Sequence, residues 1–172
     1  RYIVGRATLR ILLGRRLGIE PAEVIIQRGM RGRPFTDQQP GLDFNVSHTR
    51  GVAIFGMTQG QRIGVDIEHS ERTLNVEGVA RKFMSAREQA VLNASPPDDK
   101  RRELLRLWTC KEAMSKATGE ALSAPFRAMD VVTAGDLRLN AGPPPYTPDR
   151  WQLLPVAVPG GYLATVALWH DG

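Results

Sequence analysis

Residues 63–68 alternate strictly between apolar and other side chains, and this alternation constrains the fold more than any other segment. The apolar positions are Ile, Val and Ile, and between them lie Gly64, Asp66 and Glu68. Successive side chains of a β-strand point to opposite faces, so the pattern predicts a strand with one apolar face and one face that carries two carboxylates. The alternative is an ordinary half-exposed strand whose acids are solvated.

A third carboxylate lies in the segment 108–116, which reads as a helix. One face of this helix carries Trp108, Glu112 and Lys116, which recur every four residues. Two acids from a strand and one from a helix, with a lysine one turn away, form a suitable cage for Mg²⁺ bound to a phosphate substrate, because Mg²⁺ prefers hard oxygen ligands. The simpler interpretation is an ordinary pair of Glu112 and Lys116 that contributes roughly 0.2–0.5 kcal/mol.

The composition of the chain fits a globular protein of one or two lobes. Of its 172 residues, 42% are hydrophobic and 24% are charged, which is enough for a real core. No apolar run approaches the ~18 residues of a membrane span and no signal peptide is visible, so no membrane partner is expected. The single cysteine, Cys110, excludes an internal disulfide and fits a reducing, cytoplasmic compartment.

Positive charge is concentrated near the start of the chain. Residues 1–64 contain 10 Lys and Arg against 4 Asp and Glu, a net charge of +6, whereas residues 65–172 have a net charge of −1. A basic region that faces an acidic one suggests a polyanionic ligand, since arginine binds phosphate oxygens in a bidentate manner. A solvated basic face and a nucleic-acid surface are the alternatives. The arginine-rich stretch contains only Tyr2 and Phe35 as aromatic residues, which does not favour nucleic acid.

The order of the periodic segments predicts an α+β protein with mainly antiparallel strands joined by tight turns. Helices are expected at 4–16, 76–83, 86–93 and 98–117, and strands at 24–27, 44–49, 52–58, 63–68, 129–133, 136–140, 151–157 and 162–169. A boundary near residues 60–63 divides the chain into an N-terminal basic lobe, 1–62, and a C-terminal lobe with the metal site, 63–172.

Five short motifs follow one another between residues 32 and 116. They are Gly32-Arg33-Pro34, Phe44-Asn45-Val46-Ser47-His48, Gly64-Val65-Asp66-Ile67-Glu68, Phe83-Met84-Ser85-Ala86-Arg87-Glu88 and Trp108-Thr109-Cys110-Lys111-Glu112-Ala113-Met114-Ser115-Lys116. In this order the chain resembles the 4′-phosphopantetheinyl transferases, specifically the two-lobed monomeric branch typified by the surfactin-synthetase activator. The resemblance implies a monomer with two pseudo-symmetric lobes, each a mainly antiparallel sheet packed with helices. Relatives also carry further residues upstream, including a strand and cations that contact the cofactor.

The resemblance also implies a metal site. Asp66, Glu68 and Glu112 would hold Mg²⁺, or Mn²⁺, which clamps the diphosphate of coenzyme A and neutralises charge on the leaving 3′,5′-ADP. Lys116 would contact the α-phosphate or the bridging oxygen as a compact positive charge.

Glu88 has two interpretations. The resemblance implies a catalytic base that removes the proton from the carrier serine. The segment from Ser85 to Glu88 also fits S-x-x-E, a capping box that satisfies backbone N–H groups where a helix begins, and a capping glutamate needs no catalytic role. Lys116 or a water on the metal would then be the base.

Four further residues are candidates for coenzyme A contacts. Ser47 and His48 would donate to phosphate oxygens. Arg33 would meet the 3′-phosphate or the adenine end, and Arg15 is a weaker candidate of the same kind.

The expected reaction is transfer of 4′-phosphopantetheine from coenzyme A to a serine of an acyl, peptidyl or aryl carrier protein. Carrier docking is expected at the lobe interface and at the apolar segment Phe83-Met84. The alternatives are another Mg²⁺-dependent phosphoryl-transfer enzyme, such as a nuclease, and a non-enzymatic basic domain that binds nucleic acid. The sequence does not name the carrier or its pathway.

Overall fold

The computed structural model describes residues 2–170, and side chains from residue 5. Its helices and strands confirm the α+β class. The helices are α1 (Tyr2–Leu17), α2 (Val76–Phe83), α3 (Ala86–Ala94) and α4 (Pro97–Thr118). The strands are β1 (Gln27–Arg28), β2 (Pro34–Phe35), β3 (Leu42–Thr49), β4 (Val52–Gln59), β5 (Arg62–His69), β6 (Asp130–Val132), β7 (Arg138–Ala141), β8 (Trp151–Pro155) and β9 (Tyr162–Trp169). Every described strand pair is antiparallel.

The first part of the chain packs α1 against the hairpin of β3 and β4. Leu13 and Phe44 are fully buried in a small hydrophobic cluster of α1, β3 and the segment between them. The hairpin turns at Arg50 and Gly51, as the sequence predicts, and Gly51 has a φ of 86° that few other residues adopt without strain.

The second part of the chain places α4 directly on β5. The sheet has the order β5-β9-β8, and the helix lies against both β5 and β9. Gly64 makes this close packing possible, because a Cβ at this position would lie only 1.8 Å from the carbonyl oxygen of Ala113. The face of β5 that carries Asp66 is therefore the face covered by α4.

The opposite face of β5 packs on β4. A Cβ at Gly56 would lie 2.7 Å from Val65 and 2.8 Å from Ile63, so the two strands also approach closely. The alternation in this segment is confirmed, but the alternative of a half-exposed strand is wrong. Both faces are covered, and Asp66 is only 5% exposed.

Side chains of β3 satisfy the free edge of β5. Three backbone N–H groups of β5 donate to polar side chains twenty residues earlier in the chain. The pairs are Ile63 N to Asp43 Oδ2 (2.8 Å), Val65 N to Asn45 Oδ1 (2.9 Å) and Ile67 N to Ser47 Oγ (3.3 Å). Buried backbone donors need such partners, so this row of side chains joins the two sheets where backbone pairing stops.

The predicted elements differ from the structure mainly at strand ends. The strand predicted at 24–27 is found at Gln27–Arg28, because Val24 is buried against α1 and its carbonyl accepts from Arg10. The predicted loop 29–41 contains the short strand β2, which pairs with β1. The buried hydrophobic residues form two clusters, but the boundary between lobes 1–62 and 63–172 stays a prediction. None of the described helices is long and apolar enough to cross a membrane.

Candidate active site

Asp66 lies at the centre of a polar cluster between β3, β5 and α4. Its Oδ1 atom lies 2.6 Å from the Nζ of Lys116 and accepts a hydrogen bond of 3.0 Å from the hydroxyl of Ser47. Lys116 Nζ also donates to Ser47 Oγ and to the carbonyl of Val65. The other carboxylate oxygen, Asp66 Oδ2, is buried and has no hydrogen-bond partner among residues 5–170. A buried oxygen of this kind is costly unless a ligand satisfies it.

The negative charge of Asp66 acts on two further carboxylates, those of Glu68 and Glu112. Burial raises the pKa of Glu112, and the charges of Asp66 and Glu68 raise it further. Burial likewise raises the pKa of Glu68, with Asp66 adding to the effect and Arg72 opposing it. The pKa of Asp66 is also raised by burial, against the pull of Lys116. The charges of both strand acids thus act on Glu112, and that of Asp66 acts on Glu68.

The donor set of this group fits a divalent cation. It offers only carboxylate and hydroxyl oxygens, which suit Mg²⁺, and the partnerless Oδ2 of Asp66 is free to accept a cation. In the observed side-chain positions, no three His, Cys, Asp or Glu among residues 5–170 are close enough together to hold a metal ion. Lys116 and Arg72 instead hold one oxygen each of Asp66 and Glu68.

Ser47 and His48 point away from each other, as neighbours on a strand must. Ser47 is 5% exposed and is bonded to Asp66, Lys116 and the backbone of β5. Its predicted phosphate contact has to compete with these partners. His48 is exposed, and its side chain forms no hydrogen bond within the described residues.

Arg33 is turned into the protein. Its side chain is 9% exposed, and its terminal nitrogens donate to Asp43 (2.6 Å), to the carbonyl of Phe44 (3.1 Å) and to that of Ile63 (2.8 Å). Burial lowers the pKa of Arg33 although Asp43 opposes this effect. The guanidinium therefore holds the β3–β5 junction together, and its predicted contact with the 3′-phosphate would require these bonds to break. Arg15 is exposed on α1, and no described contact joins it to the carboxylate group.

A basic cavity of about 650 Å³ opens beside this junction. Arg31, Arg33 and Arg62 line it, together with Thr118 and Gly119 at the end of α4, one turn beyond Lys116. Arg31 and Arg62 were not singled out from the sequence. The excess of arginine in residues 1–64 was the only signal that could have indicated them.

Glu88 occupies a closed site of its own. Its Oε2 accepts from Ser85 N and its Oε1 from Val131 N, both at 2.7 Å, and Lys111 Nζ lies 2.7 Å from Oε2. The side chains of Glu88 and Lys111 are completely buried. The capping box that the sequence left open as an alternative is present. These contacts favour the capping role of Glu88, and its role as a catalytic base stays a prediction.

Lys111 belongs to the last sequence motif but was given no role. Besides Glu88, its ammonium donates to the carbonyls of Phe83, Phe126 and Met129. Burial lowers the pKa of Lys111, and Glu88 opposes that effect. The adjacent residues Lys111 and Glu112 do not show in the sequence which of their side chains points into the core.

Comparison with known proteins identifies the family. The sequence model of the 4′-phosphopantetheinyl transferase superfamily matches residues 62–167, which include β5, α4 and the whole carboxylate group. The chain is 32% identical over 172 residues to the 4′-phosphopantetheinyl transferase HetI of Nostoc sp., covering 98% of this chain and 70% of that protein. The chain belongs to this superfamily.

Two other comparisons show how far the similarity extends. A 4′-phosphopantetheinyl transferase of Bacillus subtilis is 29% identical over 131 residues, which cover 76% of this chain and 57% of that protein. The crystal structure of the holo-[acyl-carrier-protein] synthase of Thermotoga maritima aligns with a TM-score of 0.50 at 15% identity, covering 64% of each chain. This structural likeness supports the fold.

Proposed function

We propose that the chain transfers the 4′-phosphopantetheine group of coenzyme A to a serine hydroxyl of an acyl, peptidyl or aryl carrier protein, with release of 3′,5′-ADP. The observation that carries the proposal is the group of Asp66, Glu68 and Glu112 around Lys116, within the region that matches the superfamily. The serine oxygen bonds to the β-phosphorus, the bond from that phosphorus to the bridging oxygen breaks, and the serine loses its proton.

Asp66, Glu68 and Glu112 would hold Mg²⁺ or Mn²⁺. When bound, the cation would supply charge neutralisation at the diphosphate of coenzyme A. The partnerless Oδ2 of Asp66 and the mutual repulsion of the three carboxylates support this assignment.

Lys116 and the basic cavity would bind the phosphates. Lys116 supplies a compact charge one helical turn from Glu112, where the diphosphate would meet the carboxylate group. The cavity lined by Arg31 and Arg62 would take the 3′-phosphate end, since it begins where α4 ends. Because both oxygens of Glu88 are already paired, the two other candidates for the base remain, Lys116 and a water on the metal.

The carrier would dock on an apolar groove of about 310 Å³ at the end of α2. Phe83 and Phe126 line the groove, and Leu122 beside it is 70% exposed. Lys82 and Arg127 give it a basic rim that complements an acidic carrier helix. Met84, which the sequence placed on this surface, is fully buried and does not belong to it.

The remaining expectations concern the setting in which the protein works. A monomeric state, a cytoplasmic location and the absence of nucleic-acid or membrane partners stay predictions.

Mass spectrometry of carrier proteins tests the proposed function. The chain, coenzyme A and Mg²⁺ are incubated with candidate apo-carriers, and the expected result is a mass increase of one phosphopantetheine group on a serine. Chelation of Mg²⁺ and the variant Asp66→Ala serve as controls that lose the modification. Cleavage of DNA or RNA by the wild type but not by Asp66→Ala, without carrier modification, would favour the nuclease alternative instead.

A further inference from the structure

Lys116 pairs with one oxygen of the buried Asp66 carboxylate. Its Nζ lies 2.6 Å from Asp66 Oδ1, and the Ser47 hydroxyl bridges the two by donating to the carboxylate and accepting from the ammonium. The second oxygen of Asp66 is left without a partner. Lys116 thus pairs with Oδ1 of the carboxylate, and Oδ2 is the oxygen left for another ligand.

We infer that Lys116 is an internal counter-ion of the carboxylate group, which a divalent cation displaces from Asp66 when it binds. This inference rests on the proposed function, because it assumes that the group binds a divalent cation. It assigns Lys116 a role in the empty protein that is separate from its contact with phosphate.

The ion pair of Lys116 and Asp66 can separate more easily than that of Lys111 and Glu88. The side chain of Lys116 is 27% exposed, whereas that of Lys111 on the same helix has no exposed surface. Besides Asp66, the described part of the chain gives Lys116 two more distant partners, the hydroxyl of Ser47 at 3.1 Å and the carbonyl of Val65 at 3.2 Å. A lysine on a flexible stem can leave such partners for water or for an anionic ligand.

The charges of the group favour an exchange. Three carboxylates meet two cations, Lys116 and Arg72, so the group keeps a net negative charge while Lys116 is in place. A divalent cation attracted to Asp66 repels the ammonium beside it. Displacement would leave the Lys116 ammonium unpaired next to the bound cation. The two positive charges together would attract a diphosphate more strongly than the paired lysine does.

The inference predicts opposite effects of one substitution on two ligands. Lys116→Met removes the competitor of the cation, so the divalent cation alone should bind more tightly. The same change removes a positive charge from the phosphate site, so 3′,5′-ADP should bind more weakly in the presence of that cation. A lysine that only contacts phosphate would not change the affinity for the cation alone.

Calorimetric titration of the whole chain with Mn²⁺, without coenzyme A, measures the affinity for the divalent cation alone. Lys116→Met is expected to bind Mn²⁺ at least about tenfold more tightly than the wild type, because it loses a charge in contact with Asp66. Lys116→Arg keeps the charge and should stay within about twofold of the wild type. Lys100→Met is the matched control, since it removes one lysine of the same helix that pairs with Glu77 away from the site.

Two outcomes of the titration would overturn the counter-ion role, and they differ in what they imply for the transferase proposal. Unchanged or weaker Mn²⁺ binding by Lys116→Met, with clear binding by the wild type, would overturn the counter-ion role and leave the transferase proposal standing. No Mn²⁺ binding by either protein would also overturn it, and carrier modification with and without a chelator would then show whether the proposed function fails as well. If Lys116→Met is too unstable for calorimetry, a larger rise of its Tm with Mn²⁺ than that of the wild type supports the inference, and an equal or smaller rise contradicts it.

Discussion

Helix α4 forms three lysine–carboxylate pairs within residues 5–170, and two of them, Lys111–Glu88 and Lys116–Asp66, differ in almost every property. Lys111 and Glu88 lie 2.7 Å apart with no exposed surface on either side chain, whereas Lys116 and Asp66 lie 2.6 Å apart with 27% and 7% exposed. The two lysines are five residues apart, which turns them about 140° from each other around the helix. One pair therefore faces the core and the other faces the cluster on β5.

The surroundings of the two pairs explain the difference. Every oxygen of Glu88 has a donor and Lys111 reaches three backbone carbonyls, so this pair fixes the loops near residues 83 and 126–129 to the helix. Asp66 keeps one oxygen without a partner. Removing one partner of a fully paired, buried ion pair leaves the other charge buried and uncompensated, which is strongly destabilising, whereas a carboxylate with an unpaired oxygen can exchange partners. We therefore expect changes at the first pair to affect stability and changes at the second to affect activity.

The largest effect should come from Asp66. Asp66→Asn removes the charge that would hold the divalent cation, and we expect carrier modification to fall about a thousandfold or more, since metal charge stabilisation is worth several kcal/mol. The variant should still fold, because the amide fits the same space. Initial rates of carrier modification at saturating Mg²⁺ measure the loss. A variant with near-normal rates would remove the basis for calling the Asp66 pair functional.

The Lys111 pair should have the larger effect on folding. Lys111→Met leaves the Glu88 carboxylate buried without its cation, which typically costs about 3–5 kcal/mol of unfolding free energy. Lys116→Met removes a lysine that is 27% exposed and leaves Asp66 its hydrogen bond from Ser47, so it should cost less, about 1–3 kcal/mol, the usual penalty for an incompletely satisfied buried group. Urea titration of both variants compares them directly. Equal losses of stability would contradict the distinction between a closed and an open pair.

Glu88→Gln separates the capping role from charge. Glutamine still serves in a capping box, but it leaves Lys111 as an unpaired buried cation. The unfolding free energy should fall by about 2 kcal/mol or more, while kcat of the folded enzyme stays within a few-fold of the wild type. A catalytic base would behave in the reverse way, with kcat lowered about 10²-fold or more and melting almost unchanged. Steady-state rates and thermal melts of the same preparation decide between the two.

The smallest effect should be a gain of stability at Glu112. The folded protein raises the pKa of this carboxyl above its unfolded value, so its ionisation opposes folding once the pH rises above the unfolded pKa of about 4.3. Glu112→Gln should therefore be more stable than the wild type at pH 7 by about 1 kcal/mol or less, with no gain at pH 3, where both states of the wild type are protonated. Thermal melts without divalent cations at the two pH values test the sign. A gain that persists at pH 3 would show that repulsion is not its cause.

Local patterns in the sequence predicted the helices, the hairpin and the alternation of β5 correctly. The Ser85–Glu88 capping box was also visible, because all of its atoms lie within four residues. The sequence did not show that both faces of β5 are covered, since the covering elements are α4 and β4, and only tertiary packing brings them there.

The site was predictable in part. The alternation and the helical spacing singled out Asp66, Glu112 and Lys116; in the structure Lys116 pairs with Asp66 and the charges of both act on Glu112, while their functional roles stay predictions. The inward turn of Arg33 was not predictable, because its partners Asp43 and Ile63 lie 10 and 30 residues away and are brought together by the β3–β5 junction. An arginine in a short motif next to proline gives no sign of whether it faces a ligand or the interior.

Gly64 has a consequence for how the site can vary. Because no side chain lies between Gly64 and Ala113, the backbones of β5 and α4 are in direct contact. No side chain at this point can change its rotamer to accommodate a shift of the helix. The reach of the Lys116 side chain to Asp66 is thus set by a contact two residues away in the core. In Gly64→Ala the added methyl group would overlap backbone atoms of α4, so the helix would have to move off the strand, and the distance from Lys116 to Asp66 would change without any change in the atoms that carry their charges.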